Sequence, residues 1–143
     1  MGLFATDQYN QEKVKGEKLM PQWEEHGYVE SDGENYYYWK ARTLWKLSEK
    51  MPVEHVSLDS FDWENSNFQC NSLSNPPLWR DIGNQAKQIL TADLQYPIII
   101  SAEGNIMDGM HRILKCYVFG LPTVKAVRFA KNPPPDRVVS VDK

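Results

Sequence analysis

The feature that most constrains this chain is the stretch from Tyr96 to Pro122, where two short apolar runs lead into one amphipathic pattern. The run YPIIIS predicts a short strand, and AEGN after it is a turn signal built on Gly104. IMDG returns as a second short strand, which predicts a hairpin. A helix is predicted from Met110, and Gly120 followed by a proline marks its end. Its apolar stripe comprises Met110, Ile113, Leu114, Tyr117 and Val118.

The segment before residue 53 predicts a loose polar arm followed by one helix. SDGE matches a capping box, with Ser31 as N-cap and Glu34 three residues on. The next run, NYYYWKARTLWKLSEK, places Tyr37, Ala41, Leu44 and Trp45 at helical spacing. We interpret this aromatic stripe as a packing face rather than a base-stacking surface, because Trp and Tyr bury large areas.

Residues 53–95 predict a strand, a long loop and a helix. VEHVSLDSFDW alternates in a strand-like manner, and the polar loop ENSNFQCNSLSNPP follows it. DIGNQAKQIL predicts a helix with Asp81 as its cap and with Ile82, Ala86, Ile89 and Leu90 on one face.

The order of elements predicts an α+β fold: helix, strand, loop, helix, hairpin, helix and a last strand, TVKAVRF. We divide the chain into an N-terminal extension with one aromatic-rich helix (1–52), a central domain (53–130) and an extended Pro-rich tail (131–143).

Composition sets the expected environment and partners. Hydrophobic residues make up 41% and charged residues 24% of the 143 residues, which is ordinary for a globular protein. No apolar run approaches a membrane span and no secretory signal is visible, so with two cysteines we expect a cytoplasmic protein without membrane contact. Residues 1–70 carry a formal charge of −6 (7 bases, 13 acids) and residues 71–143 carry +3 (9 bases, 6 acids). The basic second half suits an anionic ligand.

The junction between the second hairpin strand and its helix suggests an anion site. Gly109 allows a close approach of a ligand to the backbone, and the first N–H groups of a helix carry partial positive charge. Arg112 is suited to bidentate phosphate binding, and His111 to donating a hydrogen bond or moving a proton. Asp108 is suited to capping the helix, orienting His111 or holding a metal.

The segment PIIISAEGNIMDGMHRILKCYVFGLPTVKAV resembles the signature region of the ParB/sulfiredoxin superfamily, where a strand pair presents a D-G-x-H-R or G-E-R-R type motif at a helix start. VEHVSLDSFDWENSNFQ resembles the strand and loop that open ParB-type domains. The resemblance covers residues 53–130. It implies a small mixed sheet packed with helices, an N-terminal helical extension outside it, and a nucleotide phosphate site at the helix N-terminus.

The resemblance also implies roles for individual residues. The phosphate-binding box corresponds to Gly109, Met110, His111 and Arg112, and Asp108 matches its acidic residue. Glu64 and Asn65 match the start of an E-N-P-x-x-R type loop, whose Glu is associated with catalysis or metal. The implied catalytic residues are thus Glu64, Asp108 and His111, and the implied metal ligands are Glu64 and Asp108. The implied cofactor is a nucleotide (CTP, ATP or ADP) with Mg²⁺.

Two departures from the family pattern limit what the resemblance implies. Ser66 stands where the loop has its proline, and no arginine follows at the expected distance, which argues against hydrolysis of the partition-protein type. Met110 stands at the position of the sulfiredoxin nucleophile, and a thioether cannot replace a thiolate. We therefore exclude sulfiredoxin activity.

The sequence is compatible with three functions. The first is a nucleotide-dependent phosphotransferase or hydrolase, and the second is a non-catalytic module that binds a ligand and contacts a protein partner through its aromatic N-terminal region. The third is a ParB-like nuclease acting on DNA or RNA, which the acidic first half disfavours. Sequence-specific DNA binding is not expected, because the residues after 130 are too few for a helix-turn-helix domain.

Overall fold

The computed structural model describes residues 21–66 and 74–141, which form three α-helices and two β-sheets. The predicted α+β class is confirmed. The strands are β1 Gly27–Ser31, β2 Asn35–Lys40, β3 Glu54–Ser57, β4 Ile98–Ile100, β5 Ile106–Asp108, β6 Thr123–Arg128 and β7 Arg137–Ser140. The helices are α1 Ala41–Ser48, α2 Trp79–Thr91 and α3 Met110–Val118, with a 3₁₀ turn at Leu58–Ser60. In the described ranges, none of the helices has the length and apolar character needed to cross a membrane.

The larger sheet has the strand order β3-β6-β4-β5, and its strand β4 is buried on both faces. The β4–β6 pair is parallel, and the β3–β6 and β4–β5 pairs are antiparallel. Along β4 successive side chains point to opposite faces. One face packs against α3 in a core of Leu58, Ile98, Ile100, Ile113, Cys116, Val124 and Ala126. The other packs against the N-terminal region in a core of Trp39, Leu44, Ile99, Met107, Val127 and Phe129.

The N-terminal region forms a β-hairpin where the sequence analysis predicted a capping box and a helix. Ser31 ends β1 instead of capping a helix, and it pairs with Tyr36 in β2. Asp32 shapes the turn, since its Oδ1 accepts hydrogen bonds from the N–H groups of Glu34 and Asn35. The predicted helix begins only at Ala41. Asp-Gly turn chemistry and the high β-propensity of consecutive aromatic residues outweigh the helical spacing here.

The C-terminal segment predicted as an extended tail supplies a strand. β7 pairs antiparallel with β2, which gives the smaller sheet the order β1-β2-β7. Asp136 precedes this strand, and its Oδ2 accepts a hydrogen bond from the backbone N–H of Lys40. Parts of the predicted extension and tail therefore belong to one sheet.

The helices after residue 74 form as predicted, with differences in detail. Asp81 is not the N-cap of α2 but lies in its first turn. Its carboxylate accepts hydrogen bonds from the backbone N–H groups of Ser74 and Leu78. In α3 the buried residues are Ile113 and Cys116, whereas Tyr117 and Val118 of the predicted apolar stripe are exposed. The predicted strand after Val53 is short and passes into the 3₁₀ turn at Leu58.

Leu44 provides a test of whether the N-terminal region folds cooperatively with the larger sheet. Its side chain is fully buried in the core that contains Ile99 and Met107. We expect Leu44→Ala to lower the free energy of unfolding by about 2–5 kcal/mol, because it leaves a cavity between the two layers. Urea denaturation followed by far-UV circular dichroism measures the loss.

The matched control is Leu47→Ala on the same helix, where the side chain is 49% exposed. We expect it to cost less than about 1 kcal/mol. Equal losses in the two variants would contradict the packing described here.

Candidate functional site

The loop into α3 requires glycine at position 109. Gly109 is the N-cap of this helix and adopts the left-handed conformation, with φ of 116°. A Cβ built there would lie 2.4 Å from Cγ2 of Ile98 and 2.9 Å from Nη1 of Arg112. Glycine therefore meets a backbone requirement and a packing requirement, and it brings the start of α3 directly against β4.

Arg112 links the start of the helix to both strands of the predicted hairpin. Its Nη1 donates a hydrogen bond to the backbone carbonyl of Pro97 at 3.2 Å, and its Nη2 lies 3.6 Å from Oδ2 of Asp108. Both side chains are largely buried, with exposed fractions of 19% for Arg112 and 12% for Asp108. The pair thus fixes the geometry of the hairpin–helix junction.

Asp108 also receives a hydrogen bond from the N-terminal region. The indole Nε1 of Trp45, on α1, donates to Oδ2 of Asp108 at 2.9 Å. Trp45 remains 51% exposed, so it is not the packing residue that the helical spacing predicts. The contact joins residues 63 positions apart and leaves no signal in the local sequence.

His111 pairs with a buried glutamine that the sequence analysis did not single out. Its Nε2 lies 2.8 Å from Oε1 of Gln85 on α2, and Gln85 is only 5% exposed. Burial lowers the pKa of His111, the charges of His26 and Arg112 lower it further, and Asp108 opposes these effects. His111 is therefore neutral at neutral pH, a state suited to hydrogen bonding or proton transfer. The apolar periodicity of this helix carries no signal for a buried glutamine.

The predicted catalytic loop lies toward the other end of α3. Trp63 packs its ring against Tyr117 with a centroid distance of 4.9 Å, and the N–H of Leu58 donates to the carbonyl of Pro122. Tyr117 lies about 9 Å beyond His111 along the helix axis. Glu64, the neighbour of Trp63, is exposed there. The structure thus brings Asp108, His111 and Arg112 together, with Met110 half-buried in the same turn, but not Glu64.

Asn65, the other residue of the predicted loop motif, has a local structural role. Its side-chain amide donates to both carboxylate oxygens of Asp62, at 3.2 and 3.0 Å, and its backbone N–H donates to Oδ1. In the ranges 21–66 and 74–141, no group of three or more His, Cys, Asp and Glu side chains is arranged to hold a metal ion. The proposed metal ligands Glu64 and Asp108 therefore stay a prediction.

A cleft of about 240 Å³ lies beside the C-terminal half of α3, away from the Gly109 junction. It is bordered by the connection from α3 to β6 and by the β3–β6 edge, and its lining includes His55, Leu94, Cys116, Leu121 and Lys125. Burial raises the pKa of the Cys116 thiol, which argues against a reactive thiolate in this cleft.

Comparisons of this chain with protein-family models, with curated proteins and with solved structures give no match. The resemblance to the ParB/sulfiredoxin superfamily accordingly stays a prediction.

Gly109→Ala tests whether the junction requires glycine. We expect a loss of about 2–6 kcal/mol in the free energy of unfolding, the sum of left-handed backbone strain and a clash with Ile98. The control is Gly33→Ala, with φ of 94° and open space around a built Cβ. It carries backbone strain alone, about 1–3 kcal/mol. A smaller loss for Gly109→Ala than for Gly33→Ala in urea titrations would contradict this account.

The lowered pKa of His111 predicts a pH dependence of stability. The unfolded chain protonates this side chain near its ordinary pKa of 6.5, whereas the folded protein does so only at lower pH. The contribution of His111 to the free energy of unfolding is therefore complete above about pH 6.5. It is lost as the pH falls through the pKa of His111 in the folded protein. We expect His111→Gln to lose less stability than the wild type between about pH 7.5 and pH 5, measured by urea denaturation. Asn84→Gln, a substitution at an exposed position of α2 that changes no titratable group, serves as control and should follow the wild-type profile.

Proposed function

We propose that this protein binds a phosphate-containing ligand, a nucleotide, at the N-terminus of α3, with Gly109, His111 and Arg112 holding the phosphate. The observation that carries the proposal is the first turn of this helix. It contains two basic side chains and no acidic one, and within the described residues no side chain caps it. The sequence resemblance to a nucleotide-binding superfamily supports the same position.

The electrostatics of this turn favour an anion. Arg112 is the cationic side chain of this turn, and a cation at a helix N-terminus is unfavourable by roughly 0.3–1 kcal/mol, whereas a bound anion there is favourable. Arg112 has five N–H donors in a planar fork. The contacts to Pro97 and Asp108 involve only its two terminal nitrogens, so the guanidinium has capacity for a phosphate oxygen. Neutral His111 adds a hydrogen-bonding group without a second full charge.

Binding without turnover is the second candidate function, and the position of Glu64 favours it. A general base must come within hydrogen-bond reach of the proton that it removes. The loop bearing Glu64 packs near Tyr117, at the other end of α3. The Asp108 carboxylate already has other partners, since its Oδ2 accepts a hydrogen bond from Trp45 and lies beside Arg112. An enzymatic role therefore requires a rearrangement of this loop, whereas ligand binding does not.

The test is a thermal-shift series with CTP, ATP, ADP and GTP, each with and without Mg²⁺. A ligand at one hundred times its Kd adds about 2.7 kcal/mol, which corresponds to a rise in Tm of roughly 5–10 °C at this chain length. We expect at least one nucleotide to raise the Tm. Isothermal titration with that nucleotide should show at least about tenfold weaker binding to Arg112→Lys, because the ammonium cannot bind phosphate bidentately.

Lys131→Ala is the matched control, because it removes one positive charge at an exposed position outside the site. It should bind the nucleotide like the wild type. Absence of a shift with all nucleotides and with inorganic phosphate would overturn the proposed function. Product formation from the bound nucleotide that Glu64→Gln abolishes would favour the enzyme over the binding module.

A further inference from the structure

Helix α2 turns its apolar residues to solvent. Trp79 is 96% exposed, Ile82 53% and Leu90 52%, and Ala86 between them is exposed as well. The helical spacing in the sequence places Ile82, Ala86, Ile89 and Leu90 on one apolar face. Within the described residues the buried position of α2 is instead Gln85, with Ile89 half-buried. We name the residues Trp79, Ile82, Ala86 and Leu90 the α2 stripe.

The α2 stripe is continuous and lies apart from the contacts that hold α2 in place. Its members follow at spacings of three and four residues, so they form one line about 16 Å long on the helix surface. The helix is attached through Gln85, which pairs with His111, and through the carbonyl of Ala92, which accepts a hydrogen bond from Lys115. The attachment at Gln85 lies about a third of a turn from the centre of the stripe.

One flank of the α2 stripe is basic. Arg80 and Lys87 are both exposed and lie seven residues apart, about a third of a turn from the centre of the stripe, on the side away from Gln85. The acidic residue of this helix, Asp81, lies on another side, where it accepts hydrogen bonds from the N–H groups of Ser74 and Leu78. The surface therefore combines an apolar line with two positive charges along one edge.

This charge pattern disfavours a second copy of the chain as occupant. In an antiparallel two-fold pair of α2 helices, the same flank of both copies lies on the same side of the contact. With Ile82 of one copy facing Ala86 of the other, Arg80 of one lies near Lys87 of the other, and this repulsion occurs twice. A partner with acidic residues along the matching edge is instead attracted to Arg80 and Lys87.

We propose that the α2 stripe is a docking surface for an amphipathic helix of a partner protein, with acidic residues on the edge that meets Arg80 and Lys87. Such helices place apolar anchors at i, i+3, i+4 and i+7 against an apolar face. Trp79 is the main anchor on this side, since an exposed tryptophan loses the most apolar area on binding. This surface is distinct from the phosphate site, and its test does not depend on nucleotide binding.

The test uses three dye-labelled helical peptides of about sixteen residues, measured by fluorescence anisotropy with the full chain. All are built on alanine and glutamine. The first has leucines at i, i+4, i+7 and i+11 with glutamates along one edge, the second has lysines in place of the glutamates, and the third has serines in place of the leucines. We expect the first to bind at least about tenfold more tightly than the others, equivalent to about 1.4 kcal/mol.

Variants of the chain locate the binding surface. Trp79→Ala should weaken the glutamate peptide at least about tenfold. The double variant Arg80→Glu with Lys87→Glu should reverse the preference toward the lysine peptide. Val138→Ser, at an exposed apolar position on β7, is the control and should leave binding unchanged. Because all these side chains are exposed, circular dichroism should show wild-type folding.

Three results would overturn the proposal. The first is equal binding, or no binding, of the glutamate and lysine peptides. The second is a dimer of the chain in light scattering that Trp79→Ala dissociates, which would make a second copy the occupant. The third is an intramolecular cross-link from a photoreactive residue at Ala86 to residues 1–20, which would make the chain's own N-terminal segment the occupant.

Discussion

The burial of β4 on both faces is the constraint on which the rest of the structure depends. Ile98, Ile99 and Ile100 are each at most 2% exposed, and their side chains alternate between two separate cores. A strand of this kind needs a covering layer on each side. Helix α3 provides one layer, and the N-terminal strands with α1 provide the other. The N-terminal region is therefore part of the core and not an appendage to it.

The same constraint explains the residues at the candidate site. Gly109 lies against Ile98, Arg112 reaches the carbonyl of Pro97 immediately before β4, and Asp108 pairs with Ile99 across the hairpin. These three residues thus have structural roles that need no ligand. The proposed phosphate site uses the N–H groups in the first turn of α3, which no side chain of the described residues caps, and the remaining donors of Arg112. A ligand there would bind to a preorganised junction.

Sequence patterns predicted this protein best where each element was encoded locally. The hairpin at Ile98–Asp108, the helix that follows it and strand β6 all carry their own turn signals and periodicity, and they form as predicted. The N-terminal hairpin was mistaken for a helix because helical spacing and strand propensity coexist in its aromatic run, and pairing with a distant strand decides between them. At the site, the local sequence predicted the proximity of Asp108, His111 and Arg112. It could not predict Trp45 or Gln85, because tertiary packing alone brings them there.

The pairing of β2 with β7 has a consequence for the order in which the protein is built. The hydrogen bond between Lys40 and Asp136 joins residues 96 positions apart, and β7 is the last strand of the described chain. During synthesis the N-terminal hairpin leaves the ribosome early, and the edge of β2 stays without its neighbour until the C-terminal segment has emerged. Because such long-range pairing closes a large loop, it is expected to form late in folding. For that interval β2 is an open strand edge, the kind of surface that chaperones shield and that other chains can capture.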